Sequence, residues 1–438
     1  MPRREIVAKL VTKVVGNQKG MALLMLLLIF TLIASLYVLK SLDSAAINNE
    51  RAKKTQKALA EAKIALLSFA SNRELIPSGC GNNCPRPGDL PCPDTNNDGF
   101  AEASCGNAAG TTGQGSRLGR LPWRNLGISD LRDGYGERLW YAVSSRYKMN
   151  SRFRPLNSNT LATITLRSSA GNIINDASAI TGLAAIVISP GPAFTRADAF
   201  VQVRNGANQN LAVNYLDNAI GEDNQNFTDS TVNGFISGPV RDAAGNLIVN
   251  DRVLAISRVD MTDVTEKRVL AEVRNALTVG VYPNPASYAD VTCLGNGLIN
   301  VPDCSESLGI KGGRIPANPG VAWSATSILR GENSNNWFQL NAWREQVYYA
   351  VSSACVPVPV PPVSCLTLNN ALTLPTDGKS IVLIASGAAL SGQVRVTNAD
   401  KTQQTNYLEG ENFTPLDDIY VRASPLTTTI NDRALSFP

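Results

Sequence analysis

GMALLMLLLIFTLIASLYVL, Gly20–Leu39, is the stretch whose reading decides the fold. From Met21 onward it carries neither charge nor proline. As a helix rising about 1.5 Å per residue, that run just covers a hydrocarbon layer of about 30 Å. The leader before it holds Arg3, Arg4, Lys9, Lys13 and Lys19 against the single acid Glu5. Basic residues ahead of an apolar run keep that end in the cytoplasm. A secretory signal would place a small-residue cleavage site after the run, whereas Tyr37-Val38-Leu39-Lys40-Ser41-Leu42-Asp43 continues in helical style. The processing point expected is therefore Lys19-Gly20/Met21, and the alternative is an uncut signal anchor.

Beyond Lys40 the pattern turns amphipathic. Leu42, Ala45, Ala52, Leu59, Ala62, Leu66 and Phe69 recur at three- to seven-residue steps among charged neighbours, and no Gly or Pro interrupts them before Pro77. One helix is predicted from about Met21 to about Ala70. Gln18-Lys19-Gly20, the apolar run and this continuation together resemble the signal and stalk of type IV prepilins and type II secretion pseudopilins. The resemblance implies cleavage after Gly20 by a prepilin peptidase, a methylated Met21, and assembly with other pilin or pseudopilin subunits from the bacterial inner membrane, the body being periplasmic. Most members carry Glu at the fifth mature position, where this chain has Met25. In the family that acid meets the N-terminal amine of the subunit ahead, so Met25 implies a tip or initiating place. A pseudopilin turn and strand, Asp-Pro-Trp-Gly followed by aromatics, is similar to Asp133-Gly134-Tyr135-Gly136 and Leu139–Val143.

Charge points away from nucleic acid. The chain has 40 basic and 36 acidic residues, and without the leader the two balance at 35 each. No polybasic stripe and no phosphate-binding glycine loop follows. Histidine is absent altogether. That removes Ser-His-Asp and Cys-His catalysis, so no enzyme is expected; a tethered hydrolase working through carboxylates is the weakest reading. Ser145 and Lys148 match Ser-x-x-Lys, but on a strand residues three apart face opposite ways.

All eight cysteines lie downstream of the apolar run: Cys80 and Cys84, Cys92 and Cys105, Cys293 and Cys304, Cys355 and Cys365. Delivery into an oxidising compartment predicts disulfides between neighbours, with connectivity open; zinc on Cys80, Cys84, Cys92 and Cys105 is the alternative. Asp94, Asn96 and Asp98, followed by Gly99, open like a calcium loop, with Glu102 at its ninth position but Cys105 at the twelfth. An Asn/Asp/Gly turn reads the same residues without Ca2+.

The chain also repeats itself. Leu59–Leu66 reappears as Leu270–Leu277, Gly119–Pro122 as Gly313–Pro316, and Glu137–Ser145 as Glu345–Ser353. Asn214–Asp217 with Asn226–Thr228 reappears as Asn406–Glu409 with Asn412–Thr414, and Asn250–Leu254 as Asn431–Leu435. Cys92/Cys105 pairs with Cys293/Cys304 in the same order. The second helix carries Asp263, Glu266, Lys267, Arg268, Glu272 and Arg274, too many charges for a bilayer. The expected fold class is α+β: a long N-terminal pilin-type helix, membrane half plus amphipathic half, then two tandem pilin-like heads, each a helix packed on an antiparallel sheet. The boundaries expected are leader 1–20, helix 21–72, first head 73–258 and second head 259–438. The function expected is a minor pilin or pseudopilin; the alternative is a membrane-anchored or pilus-borne adhesin exported by the same signal.

Overall fold

The computed structural model describes residues 3–75, 84–107, 114–196, 198–226, 234–277, 282–294, 303–331, 336–352, 355, 365–370, 373–413, 418–423, 426–427 and 429–437. Side chains of 3–20, 22, 36–44, 114–115, 370 and 373–377 fall outside that description. The chain forms two compact units, Met1–Lys57 and Ala58–Pro438.

In the first unit the described residues belong to helix α1, which runs Arg3–Asn72 and so begins near the chain start rather than at Met21. No proline occurs between Arg3 and Asn72, so no backbone donor is missing along the helix. The described side chains between Met21 and Ser35 are all exposed. Charged residues bound the apolar run at both ends, at Lys19 and at Lys40. Among the described residues no helix is long and apolar enough to cross a membrane. The expected helix with a membrane half and an amphipathic half is therefore corrected.

The second unit starts with the last turns of α1. Ala58, Leu59, Ala62, Leu66 and Ala70 are buried there, forming one stripe at helical spacing. The stripe meets a four-stranded antiparallel sheet of β1 (Leu118–Arg120), β2 (Trp140–Val143), β3 (Leu183–Ser189) and β4 (Arg252–Ser257), in that order. Strand alternation sorts the side chains by face. Tyr141, Val143, Ala185 and Val187 pack with the α1 stripe, whereas Trp140, Ala142, Ile186 and Ile188 pack with Leu166, Tyr215, Leu216 and Phe235 on the other side.

Helix α2 (Arg258–Ala276) follows β4 directly. Ser257 caps it, accepting from the Asp260 amide while the Asp260 carboxylate accepts from the Ser257 amide, a reciprocal capping box. Asp260 also pairs with Lys63 of α1 at 2.8 Å. The helix serves both halves of the unit. Met261 packs in the first core, while Val269, Leu270 and Val273 pack in the second. That second core lies on a sheet of β5 (Gly312–Arg314), β6 (Val347–Val351), β7 (Ile381–Ala385) and β8 (Arg433–Phe437), again antiparallel and in chain order. The registers correspond: Arg120 sits opposite Trp140 as Arg314 sits opposite Tyr348.

A purely helix-on-antiparallel-sheet head is also corrected, because the far face of each sheet is buried too. Each is covered by a small mixed sheet. Leu166–Arg167 runs parallel to Phe235–Ile236 and antiparallel to Ile173–Asn175. Leu366–Asn370 runs parallel to Ile419–Arg422 and antiparallel to Thr373–Lys379. Trp140, Ile186 and Ile188 would otherwise face water, which is why the long connections fold back over them.

The halves are joined by polar contacts as well as by α2. Asn341, buried, accepts at Oδ1 from Arg86 Nη1 (2.7 Å) and from the Leu156 amide (2.9 Å), and Asn157 Nδ2 donates to its carbonyl (2.9 Å). Ser158 donates to Glu266 at 2.7 Å, and Arg433 reaches the same carboxylate at 3.4 Å. Removing one acceptor for two buried donors costs about 2–3 kcal/mol. Asn341→Ala should lower unfolding stability in urea by that amount with a single transition; a loss below about 0.5 kcal/mol would show that the contact does not hold the halves together.

Candidate functional site

The cysteines are spent on cross-links. Cys92–Cys105, Cys293–Cys304 and Cys355–Cys365 are disulfides with S–S distances of 1.99, 2.02 and 2.04 Å. Cys84 is disulfide-bonded as well, and Cys80 lies outside the described residues. Sulfurs bonded this way are not thiolates, so a zinc site on the first four does not form. The first two bridges are also not equivalent in place. Asp94 exchanges backbone hydrogen bonds with Arg120, and Ala286 does so with Arg314. Cys92 thus precedes its bridge residue by two positions, whereas Cys293 follows its own by seven.

The loop Asp94–Glu102 turns its oxygens onto its own backbone. Asp94 accepts from the amides of Asn97 (2.5 Å) and Gly99 (2.7 Å), Asn96 from Asp98 (3.0 Å), and Asp98 from Phe100 (2.7 Å). Glu102 accepts from the Thr95 amide and hydroxyl at 3.2 and 2.7 Å. Burial pushes the Asp94 carboxyl up. Among the described residues no group of three or more acidic, histidine or cysteine side chains converges as a metal would require. Gly20 and Met21 lie within α1, Met21 exposed. Ser145 and Lys148 do not act together: the Lys148 ammonium donates to the carbonyls of Gly106 (3.0 Å) and Ser151 (2.5 Å), and burial lowers it to about 8.

The most developed polar arrangement is one the sequence reading only half found, and it occurs twice. In the first copy Asp251 accepts from the Asp217 amide and from Asn224 Nδ2, both at 2.8 Å, while Asp217 accepts from the Asn250 amide and from Gln202 Nε2. In the second, Asp432 accepts from the Glu409 amide and Asn412 Nδ2, both at 3.0 Å, while Glu409 accepts from the Asn431 amide and Gln393 Nε2. Arg204 ties the first copy to the carbonyls of Asn214 and Gly191, and Arg395 ties the second to those of Asn406 and Gly387. Asn214–Asp217 and Asn250-Asp251 stood out as repeats. Gln202-Val203-Arg204 and Gln393-Val394-Arg395 did not, although the tripeptide is identical. Gly191 and Gly387 have φ of +60° and +61° and abut Asn250 and Asn431, so each position requires glycine.

The carboxyl groups of Asp217, Asp251 and Asp432 are buried, and Glu409 is half-buried. Desolvation pushes Asp217 up to about 6 and raises Asp251 well above the usual carboxyl range, the Asp217 charge adding to the effect on Asp251. Desolvation and then Glu409 do the same to Asp432.

Beside each copy an arginine lies against aromatic faces. The Arg120 guanidinium sits 4.2 Å from the Trp140 ring centre and 4.0 Å from that of Tyr215. Arg314 sits 4.2 Å from Tyr288 and 5.8 Å from Tyr407. Such stacking suits a planar cation taken out of water. Burial lowers Arg120 to about 10, which still leaves it charged at neutral pH. It donates to the carbonyls of Arg138 (3.0 Å) and Gln209 (3.3 Å) and makes no ion pair among the described residues. A cavity of about 320 Å³ opens beside it, lined by Asp94, Leu118, Trp140, Asn210 and Gln225 among others.

No protein-family model, no curated protein and no solved structure matches this chain.

A carboxyl with a raised folded pKa holds its proton more tightly when folded. Its contribution to stability is complete below the unfolded value near 4 and is lost as pH rises through the folded value. Asp217 acts in this sense up to about 6 and Glu266, raised mainly by burial, up to about 7. Denaturation at pH 5 and pH 7.5 should show the protein less stable at the higher pH by about 2 kcal/mol or more. Glu266→Gln, which removes the carboxyl with the larger shift of the two, should shrink that difference. A difference of the opposite sign would contradict the buried-proton assignment.

Proposed function

We propose that the protein is a minor pilin or pseudopilin, a non-catalytic subunit at or near the tip of a type IV pilus or type II secretion pseudopilus. What supports this most is the apolar helical surface of the first unit, where the described side chains from Met21 to Ser35 are exposed, Leu23 and Leu27 at 75% and 66%. An apolar surface of this length is not left in water. Identical or similar helices of neighbouring subunits would cover it in a filament. Gly20 immediately before the run supplies the cleavage point for a prepilin peptidase, which makes Met21 the mature N-terminus. The body is proposed to be periplasmic, where disulfides such as Cys92–Cys105 persist.

Met25 supports the end position. A carboxylate at that depth in an apolar layer costs about 2.5–3.5 kcal/mol, and it is worth keeping only where a partner amine meets it. A subunit with nothing ahead of it needs no such acid. Two heads in one chain also suit an end, where bulk does not obstruct the packing of neighbours.

Cells producing the native chain should yield a mature peptide that starts at Met21. Gly20→Arg should leave a precursor heavier by the 1–20 leader, still membrane-associated. An intact Met1 end on the native protein in cells with an active prepilin peptidase would overturn the reading.

A further inference from the structure

The two halves of the second unit meet around a short polar segment of the first, residues 157–159. Asn157 Nδ2 donates to the Asn341 carbonyl at 2.9 Å, and the Ser158 hydroxyl donates to Glu266 Oε1 at 2.7 Å. Asn159 Oδ1 accepts from the Ala389 amide at 3.1 Å and from Arg395 Nη1 at 3.2 Å. Arg258 of α2 donates to the Ser158 carbonyl at 2.5 Å. One backbone amide crosses the joint in each direction: Leu156 to Asn341 Oδ1, and Ala389 to Asn159 Oδ1.

Glu266 reaches from α2 into the middle of this joint and is fully buried. An ionised carboxylate has about four acceptor sites. Here it receives the Ser158 hydroxyl and Arg433 Nε at 3.4 Å, and Arg433 is shared with Asp263 at 2.5 Å. From its own helix Glu266 faces Asp263, itself paired with Lys267, and Arg258; β8 brings Arg433, and segment 157–159 brings no charge. Tyr147 stands beside Arg258, its hydroxyl committed to the Thr160 carbonyl. Asp89 is equally buried and shows the contrast, since Arg86 at 2.9 Å and Arg152 at 2.7 Å both meet it. Burial raises the Glu266 carboxyl to about 7, and Ser158 and Arg433 offset only part of that. Such a group favours the closed joint while it holds its proton, and the contribution is lost as pH rises through the raised value.

We infer that Glu266 is a proton-controlled latch between the halves. Protonated, it keeps segment 157–159 seated on α2 and on the second half; ionised, it favours an opened joint in which water reaches the carboxylate. The opening is local. It breaks the Leu156–Asn341 and Ala389–Asn159 contacts and leaves both four-stranded sheets in place. The halves therefore move as one body in mildly acidic surroundings and are uncoupled in alkaline ones. This inference goes beyond the filament-subunit reading and does not depend on it.

Residue-resolved amide hydrogen exchange on the full chain at pH 6 and pH 8, corrected for the intrinsic rates, tests it. Protection of the Leu156 and Ala389 amides should fall about tenfold between the two pH values. In Glu266→Gln, which cannot ionise, the protection of both should stay within about twofold. Ser158→Ala removes a donor that favours the ionised form in the closed joint, so it should enlarge the fall; it reads the latch without touching the carboxyl. Unchanged protection in the native chain, a tenfold fall that persists in Glu266→Gln, or a smaller fall in Ser158→Ala would overturn the proposal.

Discussion

Burial of the central strands on both faces is the constraint from which the rest of the second unit follows. In β2 and β3 every residue from Trp140 to Val143 and from Leu183 to Ser189 is buried, and β6 and β7 repeat the pattern. One helix can cover only one face. The opposite face has to be closed by the long connections between strands, and these carry few apolar residues. Their backbone amides need acceptors once they leave water. The buried carboxylates and amides of the duplicated arrangement supply them: Asp251 and Asn224 in one copy, Asp432 and Asn412 in the other. The raised pKa of Asp217 is the consequence of desolvation under a sheet that excludes water, which outweighs the lowering by the backbone donors it accepts from.

The two halves of the second unit differ at matched positions. Asp133, four residues before Glu137, closes its own head: its carboxylate accepts from the amides of Tyr135, Glu137 and Gly191 and from the Ser189 hydroxyl. Asn341 stands four residues before Glu345 and turns outward to Arg86 and Leu156 of the other head. The same sequence position holds one head together in the first case and joins two heads in the second. Asn96 and Tyr288 form a comparable pair, one exposed and the other buried against Arg314. Helix α2 completes the merger by lending its first turns to one core and its later turns to the other.

Much of this was legible in the sequence because it rests on strong local patterns. The strand around Leu139–Val143, the buried runs Ala185–Ser189 and Ile381–Ala385, and the neighbouring cysteines all have periodicity or spacing that a chain shows directly. The mixed sheets were not legible, since strands such as Leu166–Arg167 and Phe235–Ile236 are too short to carry a period of two. The Asp94 loop has the composition of a cation site, but composition does not reveal that each oxygen is already taken by a loop amide. The matching of Cys92/Cys105 with Cys293/Cys304 followed chain order, whereas the pairing of Asp94 and Ala286 with their arginines places the bridges differently. The Gln-Val-Arg repeat is too short to stand out, and its glutamine and arginine act across connections whose geometry only folding supplies.

The central functional claim is that the exposed apolar surface of Met21–Ser35 is covered by similar helices of other subunits. Site-specific photo-crosslinking from Leu28 in intact cells with assembled filaments measures this most directly. Adducts to one or more subunits that carry an apolar N-terminal segment of the same kind are expected, formed only when the filament assembles. Crosslinking to lipid alone under those conditions, with no protein adduct, would contradict it.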